Sequence, residues 1–198
     1  ASIWFSVPSL LVYGIKMRAF NSSQLKNLRQ LIFGGEAFPK SSLRLLANIF
    51  FPRIELINVY GPTECTCICS SYKVKKSDLI EDKILPLGEI SNNIDYYLLD
   101  NNNNLINDER IGELYLGGEN IAKGYYNDIN STKKSFIQSH KHNKYIQLFY
   151  KTGDLVIKHQ NQLNFIGRKD NQIKRMGYRI ELEEIEFALN SVDYISES

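Results

Sequence analysis

The chain has 198 residues, of which 43% are hydrophobic and 23% are charged, and its formal net charge is +2. This composition is typical of a globular protein with a sizeable core. The small charge and the scattered basic residues argue against a nucleic-acid partner. No apolar run approaches membrane-spanning length, so we also expect no membrane insertion.

Predicted strands and helices alternate in residues 1–82, which we interpret as one α/β subdomain. We predict strands over residues 3–8, 28–33 and 54–60, a helix from Pro8 to about Met17, and a helix capped by Ser41 or Ser42 and ending near Phe50. This order predicts an α/β fold with a parallel sheet.

The pattern changes in residues 83–169, where short strands predict a small, mostly antiparallel β module. We expect strands at 96–100, 111–116, 155–157 and 163–166, with polar turns at 101–104 and 159–161. Asn161 is expected to take a left-handed turn position, because Asn tolerates positive φ. Residues 170–198 are charged, predict a helix at Glu183–Leu189, and are too few for a free-standing domain.

The three cysteines, Cys65, Cys67 and Cys69, alternate along the chain. Alternation predicts three small, buried groups on one face of an extended segment. No histidine or second cysteine pair lies nearby in the sequence, so we do not expect a metal site there. An odd number of closely spaced thiols fits a reducing compartment, which indicates a cytoplasmic protein.

A candidate ligand site follows the apolar strand that ends at Gly61-Pro62. Open α/β sheets bind ligands at the carboxyl ends of their strands. Tyr60 suits a nucleotide base, Thr63 a phosphate oxygen, and Glu64 a magnesium ion. The alternative is a simple turn in which Thr63 caps a helix and Glu64 favours its first turn.

Three other segments carry side chains or backbone suited to a site. The glycine pair Gly34-Gly35 permits close backbone approach. Asp154 follows a glycine and suits a ribose diol, and Arg168 can bind phosphate or ribose oxygens through its planar fork. Taken singly, each is better explained by a turn or a surface ion pair than by a ligand site.

Six stretches, in this order, resemble the adenylate-forming superfamily, above all the amino-acid adenylation domains of non-ribosomal peptide synthetases and the D-alanine–carrier protein ligases. They are Ile3–Leu10 (IWFSVPSL), Phe33–Pro39 (FGGEAFP), Asn58–Glu64 (NVYGPTE), Gly112–Tyr126 (GELYLGGENIAKGYY), Tyr150–Leu155 (YKTGDL) and Gly167–Glu186 (GRKDNQIKRMGYRIELEEIE). The resemblance implies ATP-dependent formation of an aminoacyl-adenylate, with Mg²⁺, and transfer to the phosphopantetheine thiol of a carrier protein.

The resemblance also implies residue roles. The nucleotide would be bound by Gly35, Asn58, Tyr60, Gly61, Thr63, Asp154, Phe165 and Arg168. Catalysis would involve Thr63, Lys174 and the metal ligand Glu64. Asp170 would be the hinge about which a small C-terminal domain, begun by residues 170–198, rotates between two poses, with Lys174 and Gly177 facing the site in the second pose.

An acyl pocket is implied as well, lined by Ser6, Ile32, Gly34, Val59, Gly61, Cys67 and Ile68. These walls are small and mostly apolar, which predicts an amino acid with an uncharged side chain. D-alanine ligases tend to carry a cysteine at the position of Gly34. The glycine is therefore expected to leave room for a larger apolar amino acid.

Parts of the family pattern are absent from these 198 residues: the phosphate loop, the upstream aspartate that pairs with an α-amino group, and the C-terminal catalytic lysine. We therefore expect that the isolated chain does not complete adenylation. Two alternatives stay open, an acyl- or aryl-CoA ligase of the same superfamily and a non-catalytic nucleotide-binding remnant. The run Arg179–Glu186 lacks the proline usual in CoA ligases and favours the amino-acid type.

Overall fold

A computed structural model describes residues 1–21, 23–107, 109–139 and 147–192. Within these ranges the chain forms two five-stranded sheets, a two-stranded hairpin and four α-helices. No helix in the described ranges combines the length and apolar character needed to cross a membrane.

The first sheet has the strand order β1-β2-β3-β4-β5. Its strands are β1 (Ile3–Ser6), β2 (Gln30–Gly34), β3 (Glu55–Tyr60), β4 (Ser70–Lys73) and β5 (Glu89–Ile90). β1, β2 and β3 are parallel, whereas β4 and β5 add antiparallel strands at one edge. The predicted α/β fold with a parallel sheet is therefore confirmed, with an antiparallel extension.

Helices α1 (Pro8–Lys16) and α2 (Lys40–Phe50) connect the three parallel strands. In α2 the buried residues Leu43, Leu46, Ala47 and Phe50 recur at helical spacing and pack against the sheet. The predicted serine cap of α2 is wrong. Pro39 occupies the N-cap position, its φ of −57° fits a helix entry, and no side chain caps the helix.

The second sheet has the order β10-β9-β7-β6, with β8 along β9. Its strands are β6 (Ile94–Leu99), β7 (Ile111–Gly118), β8 (Phe136–Ser139), β9 (Gln147–His159) and β10 (Gln162–Arg168). All their pairings are antiparallel, as the sequence predicted. The short helix α3 (Ile129–Ser135) precedes β8 and is capped by Asp128, which accepts a hydrogen bond from the Ser131 amide at 2.9 Å.

Two predicted turns have different outcomes. The polar turn at 101–104 is confirmed, because Asp100 Oδ1 accepts the amide hydrogens of Asn102 and Asn104, both at 2.8 Å. In the turn between β9 and β10, the left-handed residue is Gln160, with φ of 47°, and not Asn161. The predicted position was wrong by one residue, although the hairpin itself is present.

The cysteine prediction is also wrong. Cys65 ends a short 3₁₀ helix (Thr63–Cys65), and the next two residues, Thr66 and Cys67, adopt positive φ values of 57° and 76°. The chain therefore reverses instead of extending, and it buries Cys65 and Cys69 while Cys67 is exposed. All three are free thiols.

The two sheets meet at the carboxyl end of β3. The Leu87 amide donates to the Leu163 carbonyl at 2.8 Å, and the Leu163 amide donates to the Gly88 carbonyl at 3.0 Å. Tyr60, at the end of β3, packs in the core of the second sheet. This contact places the predicted site between the two sheets.

The last described segment contains the hairpin strands β11 (Ile173–Arg175) and β12 (Tyr178–Ile180), followed by α4 (Leu182–Asn190). The helix predicted at Glu183–Leu189 is confirmed. Three of its large apolar side chains are exposed in this structure: Ile185, Phe187 at 79%, and Leu189. The hairpin turn is formed by Met176 and Gly177, both with positive φ.

Candidate active site

The site begins where β3 ends and the chain turns sharply at Gly61. A Cβ atom at Gly61 would lie 2.0 Å from the Cys67 carbonyl oxygen, so the close return of the chain requires glycine. Thr63 and Glu64 then form the 3₁₀ turn, with Pro62 as the N-cap and no side-chain cap. The alternative role of Thr63 as a helix cap is therefore excluded, and its exposed side chain lines the adjoining cavity.

Asp154 lies at the centre of a buried polar network. Tyr60 Oη donates to Asp154 Oδ2 at 2.5 Å, and Arg168 Nη1 donates to Asp154 Oδ1 at 2.6 Å. The side chains of Asp154 and Arg168 are 6% and 13% exposed. Burial, together with the charge of Asp154, raises the pKa of Tyr60 well above its usual value, so the phenol remains a donor.

Arg168 also contacts the predicted hinge residue. Its Nε and Nη2 atoms donate to the two carboxylate oxygens of Asp170, each at 2.6 Å, in the bidentate arrangement typical of arginine and carboxylate. A Cβ atom at Gly153, whose φ is +71°, would lie 2.7 Å from Arg168 Nη2. The glycine before Asp154 is therefore needed for Arg168 to reach both carboxylates.

Two cavities adjoin this network. The first, of about 270 Å³, lies towards the loop after β3, and the second, of about 260 Å³, lies towards the chain before β5. Residues shared by both walls include Gly35, Val59, Gly61, Asp154, Arg168, Gln172 and Lys174. The cavities are thus neighbouring parts of one cleft, and the wall between them carries the polar or charged side chains of Asp154, Arg168, Gln172 and Lys174.

The predicted nucleotide residues lie around this cleft. Gly35, Asn58, Tyr60, Gly61 and Phe165 line the second cavity. The Asn58 side-chain amide donates to the Pro86 carbonyl at 2.8 Å, which fixes its orientation. Thr63 lines the first cavity.

Most of the predicted acyl-pocket residues line the first cavity: Gly34, Val59, Gly61, Cys67 and Ile68. Ser6 and Ile32 line neither cavity. Adjacent strand residues point to opposite faces, and it is Phe5, next to Ser6, that lines the wall.

The prediction that Gly34 leaves extra room in the acyl pocket is wrong. A Cβ atom at Gly34 would lie 2.2 Å from the carbonyl oxygen of Val59, so the space belongs to the backbone of β3 and not to the cavity. Glycine at this position allows the two strands to approach closely. The preference for a larger amino acid therefore loses its basis in this residue.

Glu64 is a buried carboxylate with several donors. Its side chain is 8% exposed, it accepts from Tyr125 Oη at 2.7 Å, and Arg179 Nη1 lies 2.8 and 3.1 Å from its two oxygens. Burial acts to raise the pKa of Glu64, but the Tyr125 hydrogen bond and the Arg179 charge outweigh it and the pKa is lowered. The group is therefore an ionised, oriented oxygen ligand of the kind that Mg²⁺ prefers.

Lys174 extends from β11 into the cleft and lines both cavities. Its Nζ atom lies 6.0 Å from the centroid of the Tyr60 ring. Removal of the ammonium group from water lowers the pKa of Lys174, and the nearby positive charges of Arg168 and Arg179 act in the same direction. The structure thus brings Lys174 together with Tyr60, Asp154 and Arg168.

Several site residues were given no role by the sequence reasoning. Glu36 accepts the amide hydrogen of Gly177. The Tyr150 hydroxyl oxygen accepts a hydrogen bond from Arg179 Nη2 at 3.3 Å. Gln172 is 7% exposed and lines both cavities. Each lies within a stretch that matches the family, which was the available signal, but only the fold shows what each side chain contacts.

Comparison with known proteins identifies the family. Residues 1–126 match the family model described as AMP-binding enzyme. The chain belongs to the AMP-binding enzyme family. It is 33% identical over 194 residues to the D-alanine–D-alanyl carrier protein ligase of Bacillus licheniformis, and the match covers 98% of this chain and 38% of the ligase.

Two further relatives agree with this family assignment. The chain is 34% identical over 177 residues to malpinin synthetase of Mortierella alpina, and the match covers 89% of this chain and 2% of that protein. Among solved structures, the fold matches PA1221, an NRPS protein containing adenylation and PCP domains, with a TM-score of 0.86 and 32% identity. That match covers 100% of this chain and 39% of the other.

Proposed function

We propose that this chain forms part of an enzyme that activates an amino acid as its adenylate and transfers it to the phosphopantetheine thiol of a carrier protein. The family and the activities named for the relatives support this proposal. One structural observation carries it: Tyr60, Asp154, Arg168 and Lys174 come from separate segments and meet between two adjacent cavities.

The nucleotide is assigned to the second cavity and the network beside it. Asn58, Tyr60 and Phe165 would hold the adenine base, and Asp154 the ribose hydroxyls. Both Asp154 oxygens already accept one hydrogen bond, but a carboxylate has about four lone-pair sites, so a diol can be added. Arg168 and Thr63 would then bind phosphate oxygens.

Glu64 is the candidate ligand for a magnesium ion, because its pKa is lowered and hydrogen bonds hold it in place. In this structure Arg179 contacts both of its oxygens, and Glu64 lines neither of the two cavities. When bound with ATP, Mg²⁺ supplies charge neutralisation for the phosphates. Lys174, which lines both cavities, would add a further positive charge. With such an ion bound, Lys174 and the ion held by Glu64 would stabilise negative charge on a reacting phosphate, which is the main electrostatic requirement of adenylate formation.

We assign the amino acid to the first cavity. Phe5, Val59, Cys67 and Ile68 give it apolar walls, which suits a substrate with an uncharged side chain. We further propose that the placement of Lys174 and Gly177 over the cleft is the pose for thioester formation. A cytoplasmic location and the inactivity of the isolated chain in full adenylation stay predictions.

Binding of AMP to this chain, measured by calorimetry, tests the nucleotide assignment. Asp154→Asn keeps the shape of the side chain but removes its charge, and we expect about a tenfold or greater loss of affinity. Asp95→Asn is the matched control, because Asp95 is exposed and lies on β6. Equal AMP affinity of the wild-type chain and Asp154→Asn would contradict the assignment.

Amino-acid-dependent exchange of labelled pyrophosphate into ATP tests the reaction, with this chain in its natural full-length context. We expect exchange with an uncharged amino acid, and exchange with acyl or aryl acids alone would contradict the amino-acid assignment. Thiol acceptors then separate the two ligase types. Transfer to a phosphopantetheinylated carrier protein is expected, whereas transfer to CoA alone would favour a CoA ligase.

A further inference from the structure

Strand β9 contains a bulge at the position of Asp154. The residue pairs on either side of the bulge are Leu155 with Glu113 and Lys151 with Tyr115. Between these pairs β7 has one residue, Leu114, whereas β9 has three, residues 152–154. A bulge re-aims a side chain, but it also interrupts the ladder of backbone hydrogen bonds. Its shape therefore depends on other contacts.

The Thr152 hydroxyl makes one set of these contacts. Its Oγ1 atom donates to the Leu114 carbonyl oxygen at 2.7 Å and accepts the amide hydrogen of Asp154 at 3.0 Å. Thr152 is 3% exposed, so the hydroxyl is shielded from water. Loss of the hydroxyl would take this partner away from two backbone groups, and buried groups without a partner are costly.

The opposite side of the bulge contacts the chain that follows β10. The Gly153 carbonyl oxygen accepts the amide hydrogen of Lys169 at 2.8 Å. Lys169 Nζ in turn donates to Glu113 Oε2 on β7 at 3.0 Å. Asp154 is itself paired with Arg168 of β10. The bulge is therefore held from both sides, and Thr152 provides the contact to β7.

The side chain and the backbone of Asp154 are held by different groups. Tyr60 and Arg168 bind the carboxylate oxygens. Thr152 binds the main-chain amide, and so it sets the point from which the side chain extends. A hydrogen bond from a ribose hydroxyl to a carboxylate is about 2.7 Å long, so a small shift of this point would weaken it.

We propose that Thr152 is a positioning residue for the ribose: its hydroxyl holds the bulge in the shape that presents the Asp154 carboxylate to the ribose diol. The inference rests on the proposed function, which assigns the ribose hydroxyls to Asp154. Thr152 acts through Asp154, since the one hydrogen of its hydroxyl is donated to Leu114. Its consequence is selectivity for nucleotides that carry both ribose hydroxyls.

Calorimetric titration of this chain with AMP and with 2′,3′-dideoxy-AMP tests the proposal, because the second nucleotide keeps the base and the phosphate but has no diol. Thr152→Val keeps the branched shape and removes the hydroxyl. We expect its affinity for AMP to fall about tenfold, while its affinity for dideoxy-AMP stays within about twofold of the wild-type value.

Thr152→Ser is the matched control, because it keeps the hydroxyl, and it should keep the wild-type preference for AMP. A general loosening of the fold would lower both affinities to the same extent. An unchanged preference in Thr152→Val, or an equal loss of affinity for the two nucleotides, would overturn the proposal.

Hydrogen exchange of the wild-type chain, followed by NMR, gives a test that does not require Thr152→Val to fold. Coupling is reciprocal, so a ribose bound by Asp154 should strengthen the bond between the Asp154 amide and Thr152. At saturation we expect this amide to exchange about tenfold more slowly with AMP than with dideoxy-AMP. Equal exchange with the two nucleotides would overturn the proposal.

The nucleotide preference of the wild-type chain separates this inference from the proposed function. If the wild-type chain prefers AMP and Thr152→Val keeps that preference, the positioning role alone is overturned. If the wild-type chain and Asp154→Asn bind both nucleotides with equal affinity, the assignment of the ribose to Asp154 is overturned as well.

Discussion

The first sheet and the β11–β12 hairpin are positioned by different forces. The sheet is held by a fully buried apolar core that includes Leu31, Phe33 and Phe50. The hairpin contacts the rest of the chain through Glu36 with Gly177, Glu64 with Arg179, and Lys174 with the Tyr60 ring. Apolar burial fixes one arrangement, whereas ion pairs can exchange partners. The comparison therefore separates a part of the site that apolar burial fixes from a part that polar and charged contacts hold.

The largest expected effect concerns the core. Phe50 is 1% exposed, and Phe50→Ala should lower the free energy of unfolding by about 3–5 kcal/mol, measured by urea denaturation. Phe187→Ala on α4 is the matched control. Phe187 is 79% exposed, so its loss should change that free energy by less than about 0.5 kcal/mol. Equal losses would show that burial of Phe50 stabilises the first sheet no more than an exposed ring stabilises α4.

The Asp154 network should come next. Arg168→Gln leaves Asp154 buried without its cation, and we expect a loss of about 3 kcal/mol in the free energy of unfolding. Arg175→Gln should change it little, because that side chain is exposed. If both substitutions had the same small effect, the network would contribute no more than a surface ion pair does.

A substitution at Gly153 should have a smaller effect on the free energy of unfolding, because it alters only the local backbone and its contact with Arg168. Gly153→Ala imposes a left-handed side chain beside Arg168, and we expect a loss of about 1–2 kcal/mol in unfolding free energy. Gly167→Ala is the control, since nothing lies within 4 Å of an added Cβ there and its φ is not positive. Similar melting temperatures for the two variants would contradict the strained geometry at Gly153.

The smallest effect is the pH dependence of the Glu64 contact. The pKa of Glu64 is lowered in the folded chain, so its stabilising contribution is present above the unfolded value of about 4.3 and is lost as pH falls through the folded pKa. Unfolding free energies of the wild-type chain and Glu64→Gln should therefore differ above the unfolded value and converge as the pH falls below the lowered, folded pKa of Glu64. Parallel curves would show that Glu64 does not titrate with folding.

The sequence predicted those elements whose conformation is determined by neighbouring residues. The hydrophobic period and the turn residues predicted the order of strands and helices, the antiparallel second sheet and α4. The resemblance to the family assigned Tyr60, Asp154 and Arg168 to one site, and the structure brings these side chains together. The roles of these residues in binding and catalysis stay predictions.

The errors have physical reasons. The cysteines were misplaced because Thr66 and Cys67 adopt left-handed conformations, which tertiary packing imposes and alternation cannot show. Ser6 was chosen instead of its neighbour Phe5, since a shift of one residue reverses the face of a strand. The contact of Arg179 with Glu64 spans 115 positions, and no local pattern predicts it.

Arg168 holds two carboxylates at once, Asp154 in the cleft and Asp170 at the expected pivot. Because both carboxylates bind the same guanidinium, the position of one affects the position of the other. If a ribose binds Asp154 as proposed, a displacement of that carboxylate would also change the contact between Arg168 and Asp170. The proposed ligand site and the expected hinge therefore share one side chain.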